Sequence, residues 1–329
     1  MDLKYFRYFD RSKDYSIILY ASSFLSILIV RLMLKEIGYK VWQLKTEFIY
    51  RLALKRYAKS LPALSLADRQ IVDRLQQEGV YMTSLEKLGF ASTPQMVDAC
   101  SEVLSCTEPE RDRSAAKSPL QIYTLSELTD FSLWGNERRL LDIVQNYIGL
   151  PIKFQGIQLR REFSHPQQFG AMLWHKDGDD RRSIKVIIYL SDVDREHGPF
   201  EYIPKSVTAA AWLRFRIDYQ IFRTGFSGLK NEKMEQFVPR SAWKSCVGAA
   251  GTVILVDTHS VFHHGSLRTA ERSALFFVYT ARNPKRPDLC RRYSHHSHPR
   301  LNLSRNSQNL KQQLASKFNT IKLASSDRS

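Results

Sequence analysis

The sequence predicts a mainly β domain with flanking helices, an α+β chain whose strands build an antiparallel sandwich or barrel. Three observations carry this prediction. After Pro151 the chain breaks into short runs rich in β-branched and aromatic residues, IKFQGIQLRREF, FGAMLWH, IKVIIYLSDV, PFEYIP, TVILVD and SALFFVYTA, bounded by Gly, Pro and Asp clusters. Before Pro151 apolar residues recur instead at the spacing of helices packed on a core. Finally, 329 residues with 43% hydrophobic and 12% aromatic side chains can bury a core in one large domain with arms or in two ordinary domains. That composition excludes a disordered chain, a collagen-like repeat and a multi-span membrane protein.

Taken in order, Tyr15 to Val30 is a run of 16 uncharged residues followed by Arg31 and Leu32 to Leu34. At the helical rise this run reaches about 24 Å, short of the ~30 Å hydrocarbon core, and it reads as a buried or interfacial helix in preference to a span. Asp2, Asp10 and Asp14 among the preceding bases, and the lack of a small-residue cleavage site, make a secretory signal a poor match. Tyr39 to Ser60 interleaves Val41, Trp42, Leu44, Phe48, Ile49 and Leu52 with Lys40, Lys45, Arg51, Lys55, Arg56 and Lys59. This basic amphipathic helix either packs on the core with a solvated basic face or anchors the chain to an anionic membrane surface.

Ser65 caps a helix over Leu66 to Leu75 that stops before Gly79 and leads into a strand, VYMTS, and Thr93-Pro94 opens a further helix. Residues 107–118 have loop composition, and Asn136 to Gly149 is a helix ended by Gly149 and Pro151. A helical insert over 207–219 and a loop over 224–232 interrupt the strands, and 283–329 reads as a flexible basic tail. The expected organisation is a basic N-terminal helical region, 1–64, associated with a membrane, a catalytic or binding domain, 65–282, and the tail, 283–329.

The net charge of +16 is not spread evenly. Residues 1–64 hold 12 Lys/Arg against 5 Asp/Glu, residues 283–329 hold 10 against 2, and the stretch between them 27 against 26. A near-neutral core with basic ends favours an anionic membrane surface over nucleic acid, since no aromatic-interleaved basic stretch lies in the core. Cys100, Cys106, Cys246 and Cys290 are too sparse for a disulfide scaffold and share no C-x-x-C spacing, which points to a reducing compartment and away from a cysteine zinc site. The expected location is cytoplasmic, with the N-terminal helix making the protein peripheral to or anchored in a membrane.

The histidines are the most informative residues. His175 and Asp177 form H-x-D at the end of the expected strand FGAMLWH, where period-2 alternation turns both side chains to one face. With an imidazole from a distant strand they would complete the two-histidine, one-carboxylate arrangement that holds non-haem Fe(II) and leaves positions open for a co-substrate and O2. The candidates are in DTHSVFHHGS. A cation deep in such a barrel is needed to hold the far carboxylate of a dicarboxylate co-substrate. His263 lies nine residues before Arg272, which suits a hairpin with both side chains inward, whereas His264, at eight, would face away unless a bulge intervenes. His263 is therefore the expected ligand and His264 its open rival. His259 is less well placed. His165 and His197 sit in loops, and His295, His296 and His298 in the tail.

WHKDGDD, SDVDREHGPFEYIPKS and DTHSVFHHGS with Arg272, over roughly residues 65–282, together resemble the phytanoyl-CoA dioxygenase family of Fe(II)/2-oxoglutarate oxygenases. The resemblance implies a double-stranded β-helix (jelly-roll, cupin-like) fold. It also implies iron held by His175, Asp177 and His263, with Arg272 on the far carboxylate of 2-oxoglutarate, and hydroxylation of a small substrate with release of succinate and CO2. The G-P-x-x-x-I-P-x-S segment, Gly198 through Ser206, matches a loop of the family and is read as structural. Asp177 favours hydroxylation over halogenation, because related halogenases lack this carboxylate. The doubled histidine and the short His–Arg spacing depart from the family pattern and leave the third ligand open between His263 and His264.

On IKVIIYL, Lys185, Ile187 and Tyr189 share a face, so Lys185 and Tyr189 are expected to reach the co-substrate, the alternative being a snorkelled lysine and a packed tyrosine. Trp174 points to the core. Asp179 and Asp180 read as solvated turn residues or partners of Arg181 and Arg182, and Gln158 and Arg160 lie on a strand beside the site. The basic amphipathic N-terminus makes the expected substrate lipid-like. The rival expectation is a non-catalytic jelly-roll binding or tethering protein whose basic arms contact membrane or nucleic acid.

Overall fold

A computed structural model describes residues 40–106 and 120–293, together with Lys35 and Gly38. The chain divides into two units, 1–59 and 60–329. In the first, residues 40–57 form helix α1, with Arg51 Nε 3.1 Å from Glu47 Oε1 one turn earlier. The apolar run 15–34 and the tail beyond 293 lie outside the described residues. Among those described, no helix is long and apolar enough to cross a membrane.

The second unit opens with α2 (Leu66–Glu78), where the Ser65 hydroxyl accepts the Asp68 N–H at 3.1 Å and Gly79, at φ 84°, closes the last turn onto the Leu75 carbonyl. Then come β1 (Val80–Ser84), α3 (Leu85–Leu88), α4 (Thr93–Cys106), β2 (Leu120–Thr124), α5 (Thr129–Gly135), α6 (Arg138–Ile148) and β3 (Ile152–Glu162). They are followed by β4 (Ser183–Tyr189), β5 (Phe200–Ile203), α7 (Ala211–Arg223), α8 (Asn231–Glu235), β6 (Lys244–Cys246), β7 (Thr252–Val256), β8 (Phe262–Gly265), β9 (Arg272–Ala281) and α9 (Pro287–Cys290).

The described strands make two antiparallel sheets, a large one in the order β1-β7-β4-β9-β3-β2 and a small one in the order β6-β5-β8. From β3 onward the chain crosses repeatedly between them, which is the jelly-roll arrangement the sequence predicts. Both faces of the central strands β7, β4 and β9 of the large sheet are buried. Ile184, Val186 and Ile188 of β4, with Leu275, Phe277 and Tyr279 of β9, pack under Leu75, Trp134, Leu140 and Ile143 of the helices. The alternate residues Ile187, Tyr189, Ile254, Val256, Ala274 and Phe276 look inward toward the small sheet. The insert holding α7 and α8 closes a third cluster, in which Ile217, Ile221 and Met234 pack with Trp174, Ile203 and Phe262.

Several expectations change. FGAMLWH is not a strand: Gly170–Met172 is a 3-10 turn, and only Trp174 and His175 pair, as isolated bridges to Leu229 and His263. β8 and β9 are not a hairpin, since β8 pairs with β5 while β9 pairs with β3 and β4. Part of the expected flexible tail is ordered. Pro287–Cys290 is helical, Arg291–Tyr293 is a 3-10 turn, and Cys290 and Tyr293 are buried. Proline is tolerated at the first helical turn, and this short strap lies against β3.

The strap fits because of Gly156. β3 bulges between Phe154 and Gly156, where φ reaches 145°, and a Cβ there would collide with the Tyr293 carbonyl oxygen. Gly156→Ala is expected to lower stability by about 1–3 kcal/mol, the cost of a strained non-glycine backbone, and to speed proteolytic cleavage within 283–293. The urea midpoint and the cleavage rate test this, and unchanged values of both would refute it.

Candidate metal centre

The site is built by one pair of backbone hydrogen bonds. The His175 N–H donates to the His263 carbonyl at 3.0 Å and the His263 N–H returns the bond at 3.0 Å. Residues exchanging both bonds across an antiparallel pair turn their side chains the same way. The two imidazoles therefore lie side by side, with centroids 4.5 Å apart. Asp177, two residues beyond His175, is fixed by its N–H to the Thr258 carbonyl at 2.9 Å. Its Oδ1 is 3.9 Å from His175 Nε2 and its Oδ2 3.9 Å from His263 Nε2, and one ligand atom from each of the three residues lies within 4.8 Å of the others.

The tautomers follow from acceptors. His175 Nδ1 faces the Leu173 carbonyl at 2.7 Å and His263 Nδ1 the Val261 carbonyl at 3.1 Å. A carbonyl only accepts, so each Nδ1 carries the proton and each Nε2 turns a lone pair toward Asp177. Burial lowers both imidazoles, and with the neighbouring His175 it takes His263 down to about 3, so both rings are neutral donors. His264 points the other way. Its Nδ1 faces the Met172 carbonyl at 2.8 Å, its Nε2 faces Glu201 Oε2 at 2.9 Å, and its ring packs on Trp174 with centroids 4.0 Å apart. Neither of its nitrogens is left for a metal.

Burial would raise the Asp177 carboxyl, but Lys185, His263, His175 and Arg292 outweigh it and hold the group well below the usual range. Lys185 Nζ is 2.5 Å from Asp177 Oδ2, and Arg292 Nη2 is 3.7 Å from Oδ1. Lys185, like Ile187, faces the interior as the alternation of β4 predicts. Tyr189 shares that face but does not reach the cavity: its hydroxyl donates to the Cys246 carbonyl at 2.9 Å and accepts the Phe200 N–H at 3.0 Å. The packed-tyrosine alternative describes it.

The triad opens on a cavity of about 870 Å³ whose wall includes Gln158, Arg160, Lys185, Phe200, Arg272 and Phe276. Arg272 reaches it from the first residue of β9, although no hairpin joins it to His263. Its Nε donates to Glu162 Oε2 at 2.7 Å, its Nη2 meets the same oxygen, and its Nη1 donates to the Gly198 carbonyl, which gives the G-P segment a holding role. Arg268 Nη1 joins Glu162 Oε2 at 3.1 Å. Arg160 lies over the Phe276 ring at 4.1 Å and donates to Gln158 Oε1 at 3.0 Å, with no carboxylate partner among the described residues.

The sequence reading missed the strap. Arg286, Leu289, Arg292 and Tyr293 line the cavity, and the Gln158 amide donates to the Arg292 carbonyl at 2.9 Å. The signal was Pro287 followed by Cys290 and Tyr293 at helical spacing. Asp179 and Asp180 are likewise buried and not solvated turn residues. Asp179 takes Arg292 Nη2 at 2.6 Å and the Tyr293 hydroxyl at 2.8 Å, while Asp180 accepts the Ala281 and Lys285 N–H groups, each at 3.0 Å. His259 backs the triad, its Nδ1 lying 3.0 Å from the Asp177 carbonyl.

No family model matches the sequence, and no curated protein matches it. Solved structures show partial likeness. The non-heme alpha-ketoglutarate-dependent epimerase SnoN from nogalamycin biosynthesis is 14% identical over 65% of this chain and 81% of its own, with a TM-score of 0.44. HygX from Streptomyces hygroscopicus, solved with nickel and 2-oxoglutarate bound, is 16% identical over 67% and 88%, with a TM-score of 0.44. EctD from S. alaskensis, solved with bound Fe, is 16% identical over 72% and 88%, with a TM-score of 0.46.

The arginine cluster sets an acid limit to stability. Burial alone would raise Glu162, yet Arg272 and Arg268 bring it from the usual 4.5 to about 2. The unfolded chain therefore takes up this proton first, and the contribution is full above pH 4.5 and lost as the pH falls toward 2. Glu162→Gln is expected to cost about 3–5 kcal/mol at neutral pH, by leaving buried arginines without their counter-charge. It should also flatten the acid limb of stability, as read from urea unfolding across pH.

Proposed function

We propose that the protein is an Fe(II)- and 2-oxoglutarate-dependent dioxygenase that hydroxylates an unactivated C–H of a small, lipid-like substrate. The substrate C–H, O2 and 2-oxoglutarate become the alcohol, succinate and CO2. The observation that carries this reading is the convergence of two Nε2 lone pairs on the Asp177 carboxylate, each imidazole locked in the donating tautomer by a backbone carbonyl. Two neutral nitrogens and one carboxylate oxygen suit Fe(II), and three protein ligands leave room for a bidentate co-substrate and O2. Bound iron and 2-oxoglutarate would together activate O2, the oxidant, for C–H cleavage.

The other residues bind and orient. Arg272, steadied by Glu162 and the Gly198 carbonyl, offers its guanidinium to the far carboxylate of 2-oxoglutarate, and Arg160 adds a second cation on the same wall. Lys185 keeps Asp177 ionised. Ile187, Phe200, Ile221, Phe226, Phe276 and Leu289 give the cavity apolar surface for a hydrocarbon substrate. In the same reading the protein is cytoplasmic, with the region 15–60 against an anionic membrane surface, which the basic and apolar residues of α1 support.

The test is anaerobic. Fe(II) followed by 2-oxoglutarate should produce the visible charge-transfer band of the chelate in the wild type and in His264→Ala, and none in His263→Ala. Arg272→Ala should weaken 2-oxoglutarate binding about 10- to 100-fold, the equivalent of one charge-assisted hydrogen bond of about 1.5–3 kcal/mol. No band in folded, metal-loaded wild type would overturn the oxygenase reading in favour of a non-catalytic binding protein.

A further inference from the structure

Helix α7 is apolar on two sides. Its inner side buries Ile217 and Ile221 against the small sheet, and Asp218, its one acid, is held by Lys176 at 2.8 Å. Trp212, Phe215, Tyr219 and Phe222 are nevertheless 62, 70, 50 and 59% exposed. They recur at steps of three and four, so they form one stripe along the helix. Phe226, 71% exposed, continues the stripe beyond the helix end. The rings of Phe215 and Tyr219 stack with centroids 6.4 Å apart, and those of Phe222 and Phe226 meet edge to face at 5.5 Å.

Phe226 is costly in two ways. Its φ is 64°, a region that bulky side chains avoid, and its ring is in water. It is held there by its N–H to the Ile221 carbonyl at 3.1 Å. Such residues persist where they serve a purpose. Phe226 and Ile221 also line the metal-centre cavity, so the stripe runs into the cavity mouth.

We propose that this stripe docks the protein onto an anionic lipid bilayer, with the cavity mouth at the membrane surface. The charges choose the occupant. Arg214, Arg216 and Arg223 are exposed on the same helix, with Lys230 just beyond it, and the only acid of the helix is already paired. Tryptophan and tyrosine flanked by arginine is the composition of a helix lying in the interface of an anionic membrane, rings in the acyl boundary and guanidinium groups at the phosphates. A second copy fits less well, since antiparallel pairing of two such helices would bring their arginines together. The surface goes beyond the proposed reaction. Only the corollary, that an apolar substrate passes from the bilayer to the cavity along Phe226, rests on that reading.

The experiment uses the full chain, without iron or co-substrate, so its result is separate from that of the oxygenase test. Wild type and the double variant Phe215→Ser/Phe222→Ser are sedimented with phosphatidylcholine vesicles with and without phosphatidylglycerol, alongside molar mass by light scattering. Wild type is expected to bind the anionic vesicles. The variant, at an unchanged melting temperature, is expected to lose about tenfold or more in partition coefficient, as two phenyl rings no longer leave water. Equal partitioning of the two proteins would assign any binding to another region and overturn the proposal. A wild-type dimer that the variant converts to monomer would overturn it in favour of a second copy.

Discussion

The two backbone hydrogen bonds exchanged by His175 and His263 are the constraint on which the site depends. They join an irregular loop to an edge of the small sheet, and their geometry sets both imidazoles on one side. Once the rings are placed, Asp177 follows from one further bond to the Thr258 carbonyl. The next residue along β8 must face the opposite way, and His264 there spends both nitrogens on Met172 and Glu201. Adjacent histidines thus take unlike tasks because strand parity separates them, one at the cavity and the other tying the loop before His175 to β5.

Charge in the interior is arranged on the same principle of partners brought from separate elements. Around the triad and the Arg272 cluster, four buried or half-buried cations (Arg160, Lys185, Arg268 and Arg272), with the exposed Arg292 at the rim, face three buried carboxylates (Asp177, Glu162 and Asp179), so that positive charge is in excess. Burying such an excess is unfavourable without a counter-ion. An anionic ligand would relieve it, and the cation with no carboxylate partner among the described residues, Arg160, already lies on the cavity wall. The same excess makes the cavity a poor host for a cationic molecule.

The fold class and the faces of the strands were legible in the sequence because both rest on period two. The alternation of β4 placed Lys185 and Tyr189 on one side, whereas His175 and Asp177 converge through their bonds to His263 and Thr258 and not through the strand that the H-x-D spacing implied. Periodicity reports a face, however, and not a partner. It could not tell that Tyr189 bridges to Cys246 while Lys185 reaches Asp177, two residues on one face with separate ends. Counting parity from His263 to Arg272 picked the histidine that faces the cavity through a hairpin that does not exist, since β8 and β9 lie in different sheets whose inner faces oppose each other. Asp179 and Asp180 read as turn residues because the partners that bury them lie more than a hundred positions away, for Asp179 in the strap and for Asp180 at the end of β9 and just beyond it.

Those distant partners give the segment His175 to Asp180 a second task. Its first half turns two ligand-type side chains into the cavity, and its second half sends two buried carboxylates out of it to hold the end of the described chain. A buried carboxylate is tolerated only when donors surround it. Asp179 finds them in Arg292 and the Tyr293 hydroxyl, and Asp180 in the N–H groups of Arg181, Ala281 and Lys285. The strap is drawn over the triad as a result, with Tyr293 beside Lys185 and Arg292 beside Asp177. Covering the site and placing the carboxylate beside the two imidazoles are therefore one structural event. A change that loosened the strap would also withdraw the Arg292 cation from Asp177, and so alter the charge of the carboxylate that faces both imidazoles.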